Sequence, residues 1–508
     1  MLGLLLPSLM TEGYPVGNEI FVHLMPALHA RFSLLAGELP IYTDLFFSGR
    51  YQFANPLWFG WYPFAWPLYV PGLPLKTAIY IVVAPHLLAA PAIAYYYSQK
   101  TLPYYFAVPF AYLWLMPITV QAFGGHLEKL FAWPWLVLLV WQLRPSNLTE
   151  RPRRAGYIMG FCGGMMFLAA GNYYFIYGLL IAVPFALAYW HRDMIKGAVL
   201  AGLIGTPRLV TVVALLLEGT SRPEVGFKLT LPKMVWLLSG LHLIESISIK
   251  KGLIFPGFAV IGLPALWLGY RSVKQTDWGD ISGPWRPAAV VVIAVGTLIA
   301  TGSPVIYTLP GSGLIRTAGR ANIIIALMTL LFVWVGLRYE WANRHSVIRV
   351  AVAGLLLSSV AMAGVAFATL DMMSSQPTTF SDTVMTEVDA AGCDEVWISH
   401  TPAWSSSGDY TRFRPERLSF EATERGIAVR AGHVGHFGQE WSLRDEGGAY
   451  QVDVLVTPVK LPDGGSVDMS TMFDRKPVDT LPVSDTSFLQ TVSTPRDQIH
   501  LYEIGEGC

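Results

Sequence analysis

Charge is scarce in this 508-residue chain: Asp, Glu, Lys and Arg make up 14% of it, where a soluble globular protein carries about a quarter. The 35 basic and 35 acidic side chains cancel, leaving no overall field that would draw nucleic acid or an acidic surface. Cysteine is rarer still, with three residues. Cys162 falls in an apolar stretch; Cys393 and Cys508 fall in a polar C-terminal region, where a disulfide between them requires an oxidising exterior. The chain has no GxGxxG, Walker A, paired CxxC or HExxH motif, so cytoplasmic nucleotide chemistry has no support. It also lacks internal repeats, heptad runs and low-complexity tracts. The N-terminal MLGLLLPSLM is apolar but too short to span a bilayer, and it lacks the basic start and cleavage site of a signal peptide. It reads as part of a first helix.

Apolar residues are what the chain has in abundance, 53% of it, with a mean hydropathy of +0.44. They come in blocks of roughly 17 to 23 residues, the length that crosses about 30 Å of hydrocarbon at 1.5 Å per residue. Blocks bounded by charge, Pro and Gly predict spans over 76–97, 103–122, 126–143, 156–172, 174–190, 196–217, 252–270, 286–303, 321–338 and 348–370. With 1–10 this makes about eleven transmembrane helices. Alternate loops hold Lys100; Arg144, Arg151, Arg153 and Arg154; Arg192 and Lys196; Arg271, Lys274 and Arg286; and Arg338, Arg344 and Arg349. Basic loops stay in the cytoplasm, which places 11–75, 218–251, 304–320 and everything after about 371 outside. The loop 218–251 holds five basic residues and weakens the contrast locally. Asn147-Leu148-Thr149 is a glycosylation sequon on the predicted cytoplasmic side and should stay unmodified.

From 371 the composition turns to Asp, Ser, Thr and Gly, with alternating stretches at 395–400, 450–459 and 498–504 that fit half-buried strands. The expected fold is therefore mainly α: a multi-spanning membrane domain over 1–370, with a first outer loop at 11–75, followed by an extracytoplasmic β-rich or α/β domain over 371–508 at the plasma membrane.

The first outer loop is dense in Trp, Tyr and Pro, which favours an ordered interfacial layer. Within it, Phe21, Leu24, Leu28, Phe32 and Leu35 recur at helical spacing and predict an amphipathic helix on the membrane plane, with Glu19 and His23 on one face. Gly17, Glu19, His23, Arg31, Gly37, Leu39, Pro40, Gly60, Trp61, Tyr62, Pro63 and Pro67 fall in a pattern that resembles the first outer loop of the GT-C glycosyltransferase superfamily. The resemblance is to the group of prokaryotic membrane proteins labelled 6-pyruvoyl-tetrahydropterin synthase-related membrane domain. The stretch 311–325 and the strands closing the chain resemble that group as well. Glu19 stands where the family pattern has Asp, a carboxylate with one more methylene of reach.

The resemblance implies a GT-C-like fold and a sugar transferase that uses a polyprenyl-phosphate-linked donor on the extracytoplasmic face, delivering to a glycan, lipid or protein. Such chemistry needs a carboxylate to take or orient the acceptor proton and a cation to receive the departing phosphate. Glu19 matches the family's first-loop acid and is expected to be catalytic or a metal ligand. A divalent cation, Mg or Mn, is an option, with Glu19 and Glu128 as its ligands. GGHLEKLFAWPW gathers His126, Glu128 and Lys129 at the mouth of a span; Glu128 is the second candidate acid, with His23 and His126 in substrate-binding roles, against a bland reading in which Glu128 and Lys129 snorkel to the interface. Arg316 and Arg320, four apart at the outer end of a helix, suit phosphate, against anchorage to lipid headgroups. Arg208 lies deep in its span and must either pair with a carboxylate, such as Glu128, or line a wet cavity. His86 reads as a hydrogen-bonded interior histidine; His242 and Glu245 read as surface decoration, and His433 and His436 as a solvated loop. The competing class of function is a non-catalytic scaffold or transporter in surface glycan or lipid assembly.

Overall fold

In the computed structural model the described residues are 20–43, 50–51, 58–115, 117–118, 126–170, 172–217, 228–239, 261–275, 283–304, 318–342, 395–399, 425, 428–429, 450–456, 479–482 and 497–503. The expected helices at 1–10 and 348–370, with Glu19, Arg316, His242, Glu245, His433, His436, Cys393 and Cys508, lie outside them.

The first described helix, α1 (Ile20–Leu35), ends in a turn that its sequence dictates. Gly37 adopts φ +78, the left-handed region that glycine enters without a Cβ penalty. Its N–H donates to Leu34 O at 3.2 Å and the Glu38 N–H donates to Ser33 O at 2.8 Å, the paired bonds of a Schellman cap. The burial of α1 is not confined to one face. Residues 23–30 are buried throughout, while Leu34 and Leu35 are exposed, so its first half is packed into the protein. A short hairpin follows, β1 (Tyr42–Thr43) against β2 (Arg50–Tyr51), and then a 3-10 segment over Pro63–Tyr69. Arg31 binds α1 to that segment: Nε donates to Leu68 O at 2.7 Å, Nη1 to Leu73 O at 2.6 Å and Nη2 to Pro67 O at 3.4 Å.

The bundle proper comprises α2 (Leu75–Ser98), α3 (Tyr104–Leu113), α4 (Leu127–Gln142), the short α5 (Pro145–Glu150), α6 (Pro152–Leu168), α7 (Asn172–Ala188), α8 (Arg192–Leu217), α9 (Leu231–Ser239), α10 (Leu263–Gln275), α11 (Trp285–Ala300) and α12 (Asn322–Ala342). Among the described residues, each predicted span from 76 to 338 has a helix within it or overlapping it. Two differ in extent: α3 stops ahead of Pro117, which cannot donate to a continuing ladder, and α10 starts only after Gly262, at φ +84. Leu75–Ser98 and Ala318–Arg338 are long and apolar enough to cross a membrane by length and composition, and Tyr173–Ala188 and Trp285–Ala300 are shorter apolar helices.

α4 is the hub. It packs on α2, α6 and α7, and nearly all of Leu127–Gln142 is buried, as expected of a helix that is apolar all round. The closest crossing is α6 on α8. A Cβ on Gly160 would run into the Gly197 carbonyl and one on Gly197 into the Gly156 carbonyl, while one on Gly164 would lie 2.6 Å from Ile204 Cβ. Glycines four apart thus let the two backbones touch. The outer faces carry exposed Ile81 and Leu88 on α2, Leu179, Val183 and Leu187 on α7, Val199, Leu203 and Val213 on α8, and Val290, Val291 and Leu298 on α11. So extensive an apolar exterior is foreign to water and suits hydrocarbon.

One end of the bundle is locked by an aromatic clamp. The Arg144 guanidinium sits 4.7 Å from the Tyr97 ring, 5.5 Å from that of Trp141 and 6.0 Å from that of Trp334. Trp334 Nε1 donates to Thr101 Oγ1 at 3.0 Å, and Trp285 Nε1 donates to Leu143 O at 2.7 Å. Asn147 of the sequon is part of this end: its Nδ2 donates to Trp141 O at 3.1 Å.

The strands expected near the C-terminus form one mixed sheet. β3 (Glu395–Ser399), β4 (Ala428–Val429), β5 (Tyr450–Val456), β6 (Asp479–Pro482) and β7 (Asp497–Glu503) are ordered β4-β3-β5-β7-β6. β3 runs parallel to β4 and β5, while β7 pairs antiparallel with β5 and β6, in a register that sets Val452 opposite Leu501.

Candidate functional site

The end of the bundle opposite the clamp gathers titratable groups around Glu128. His126 precedes α4 and its carbonyl accepts from the Lys129 and Leu130 N–H groups, both at 3.2 Å, so the helix begins here. Glu128 lies in the first turn, where the helix dipole favours a carboxylate. Its Oε2 is 3.2 Å from His23 Nε2, contributed by α1; its Oε1 is 3.6 Å from His126 Nδ1 and 3.8 Å from Lys129 Nζ. The side chains are 5% exposed for His23, 7% for His126, 13% for Glu128 and 2% for Lys129. Lys129 therefore does not snorkel: its ammonium is committed to the interior, and a buried charge of that kind needs the carboxylate beside it.

The segment 58–70 frames the cluster. Phe59 stacks on His23 with centroids 5.9 Å apart, and its N–H donates to the Tyr69 hydroxyl at 2.9 Å. Burial pushes the Tyr69 phenol well above its usual range, which keeps it neutral. Arg208, fully buried, donates from Nη1 to Trp58 O at 2.7 Å. The geometry thus ties Arg208 to this segment, whereas Glu128 is ringed by His23, His126 and Lys129. Tyr62 makes a second tie. Its hydroxyl lies 2.7 Å from His86 Nε2 and accepts from Trp135 Nε1 at 2.8 Å, while His86 Nδ1 is 2.6 Å from Val82 O. One tautomer satisfies all of these: Nδ1–H donates to Val82 and Nε2 accepts from Tyr62. His86 is the interior histidine the sequence suggested.

Of the predicted site residues, His23, His126 and Glu128 come together; Arg208 reaches the site's frame through Trp58. Arg320 lies over the Tyr173 ring at 5.8 Å, in the 3-10 turn Ala318–Ala321 ahead of α12. Glu19 and Arg316 are outside the described residues. Sequence reading missed Lys129 as an interior cation. The signal was present: Lys129 is followed by Leu130, Phe131, Ala132 and Trp133 on a helix with no polar face to carry an ammonium to water.

Three donor groups, His23, His126 and Glu128, have ligand atoms within 4.8 Å of one another, so the cluster fits a metal ion on spacing. Fold and site together define a helical protein with an apolar exterior and a buried acid, histidine and lysine cluster at one end. No protein-family model matches the sequence, and no curated protein matches it. Among solved structures the chain is similar to the apo oligosaccharyltransferase of Archaeoglobus fulgidus, at 11% identity and a TM-score of 0.49 over 88% of this chain and 67% of that one. It is also similar to ArnT from Cupriavidus metallidurans. In the apo state the identity is 14% and the TM-score 0.48, over 94% of this chain and 93% of that one. Bound to undecaprenyl phosphate, the values are 12% and 0.47 over the same shares.

Proposed function

We propose that the protein is a multi-spanning plasma-membrane glycosyltransferase that moves a sugar from a polyprenyl-phosphate carrier to an acceptor outside the cytoplasm. The observation that carries this reading is the buried contact of Glu128 with His23, His126 and Lys129: an acid and a cation held side by side where α1, in the segment that resembles the GT-C first loop, meets the start of α4.

In the proposed reaction the acceptor hydroxyl attacks the anomeric carbon and gives its proton to a carboxylate. The bond from that carbon to the phosphate oxygen breaks, and the polyprenyl phosphate leaves with the electron pair. Glu19 takes the proton and Glu128 orients the acceptor. Lys129 and Arg320, with Arg316, receive the phosphate charge, where buried cations act more strongly than in water. The apolar exterior gives the lipid tail a path. Spans over 1–370 and an outer domain over 371–508 belong to the same proposal.

The test measures transfer from a polyprenyl-phosphate sugar in membranes. Glu19→Gln and Glu128→Gln should each lower it about 100-fold or more, the first with insertion and folding retained, the second with a lower thermal transition because the buried Lys129 ammonium loses its carboxylate. Wild-type rates in both variants, or purification without any polyprenyl-phosphate lipid, would favour the scaffold or transporter reading.

A further inference from the structure

The geometry points to a transition-metal site of the zinc class, built from His23 Nε2, His126 Nδ1 and the Glu128 carboxylate. Donors around a tetrahedral zinc with bonds of about 2.0 to 2.1 Å sit roughly 3.3 Å apart. Each histidine lies near that spacing from one oxygen of the carboxylate, His23 Nε2 at 3.2 Å from Oε2 and His126 Nδ1 at 3.6 Å from Oε1, and one ligand atom from each of the three residues lies within 4.8 Å of the others. The cluster would draw in around an ion, with the carboxylate turning to present one oxygen or both.

Donor chemistry selects the metal. Two imidazoles and one carboxylate form a zinc-type set with an open fourth position, whereas Mg and Mn are better served by oxygen ligands. The Mg or Mn that a carboxylate pair would take is thus disfavoured by this donor set. The ligands also come from two elements, α1 and α4, so an ion would fasten the 20–35 helix to the hub of the bundle. Lys129 opposes it: its ammonium is 3.8 Å from the Glu128 oxygen that also faces His126. A cation there weakens metal binding, and it leaves the loaded site with more positive charge than one carboxylate balances. If the proposed transfer is right, a phosphate is the natural fourth ligand.

The experiment uses the full chain in detergent with a histidine-free tag and Co²⁺ as probe, read by visible absorbance and by metal content. Expected is one Co²⁺ per chain, displaced by Zn²⁺ and not by Mg²⁺. His23→Gln and His126→Asn should weaken binding by at least about tenfold, and Lys129→Met should tighten it about tenfold by removing a like charge. A simple packing role for these residues would not produce that opposite sign, and His191→Gln, at an exposed histidine, should change nothing. No Co²⁺ spectrum, or equal binding in the histidine variants, overturns the site. Bound metal without any sugar transfer would instead overturn the transferase reading and leave the site standing.

Discussion

At the scale of single residues, the protein uses arginine as a fork. Arg31 reaches three carbonyls of the 67–73 segment at once, a geometry a lysine point charge cannot copy. Arg31→Lys should keep the charge yet cost about 1 to 3 kcal/mol of stability, seen as an earlier thermal transition in detergent. Tyr62→Phe should cost about as much, because it strands His86 Nε2 and Trp135 Nε1 in the interior; hydrogen exchange at the start of α2 and in 58–70 would report the loosening. The sequence offered His126 and Glu128 as candidates, the family resemblance added His23, and His86 read as an interior histidine, which its hydrogen bonds bear out. Residue types could not indicate that His23 meets Glu128, since the two are 105 positions apart and only the packing of α1 on the bundle joins them. Arg208 shows the same limit. Its depth required a partner, and one that it meets, a backbone carbonyl at Trp58, carries no signature in side-chain sequence.

At the scale of elements, helices were the most legible part of the chain. Apolar blocks at 126–143 and 76–97 became Leu127–Gln142 and Leu75–Ser98, because a helix buried or lipid-facing on all sides is written as a plain hydrophobic run. The three strand stretches were equally plain, but their order β4-β3-β5-β7-β6 was not, since pairing partners leave no mark within a strand. The amphipathic reading of α1 failed because its histidines and alanines are buried together with its leucines; periodicity describes one face and says nothing of what covers the other. Glycine spacing in GYIMGFCGG was a signal left unread. The α6–α8 contact predicts that Gly160→Leu forces the two helices apart, at a cost of about 1 to 3 kcal/mol or more. Crosslinking between cysteines placed at positions 163 and 201, where a Cβ added at Gly163 would lie 3.5 Å from Ala201 Cβ, should then drop sharply.

For the whole molecule, the contacts sort the helix ends into two groups. Tyr97, Arg144, Trp285 and Trp334 meet at one end; His23, Trp58, Glu128 and Arg208 lie toward the other. The loops at Lys100, Arg144 to Arg154 and Arg192 to Lys196 adjoin the first group, and the charge alternation assigns them to the cytoplasm. Single cysteines in those loops should resist an impermeant thiol reagent in intact cells, and cysteines within 218–251 should react. Asn147 should carry no glycan in any host. The clamp has one more consequence, which concerns synthesis. Trp334 donates to Thr101 across 233 positions, so at about 5 to 20 residues per second Thr101 emerges on the order of ten to fifty seconds before its partner. Until Trp334 arrives, Arg144 has the Tyr97 and Trp141 rings and the Asn147 amide oxygen beside it but not its third ring, and the early helices remain an open assembly. Closing the clamp is a late event in biogenesis, and a chain truncated before α12 would present the cell with an arginine that never found its third ring.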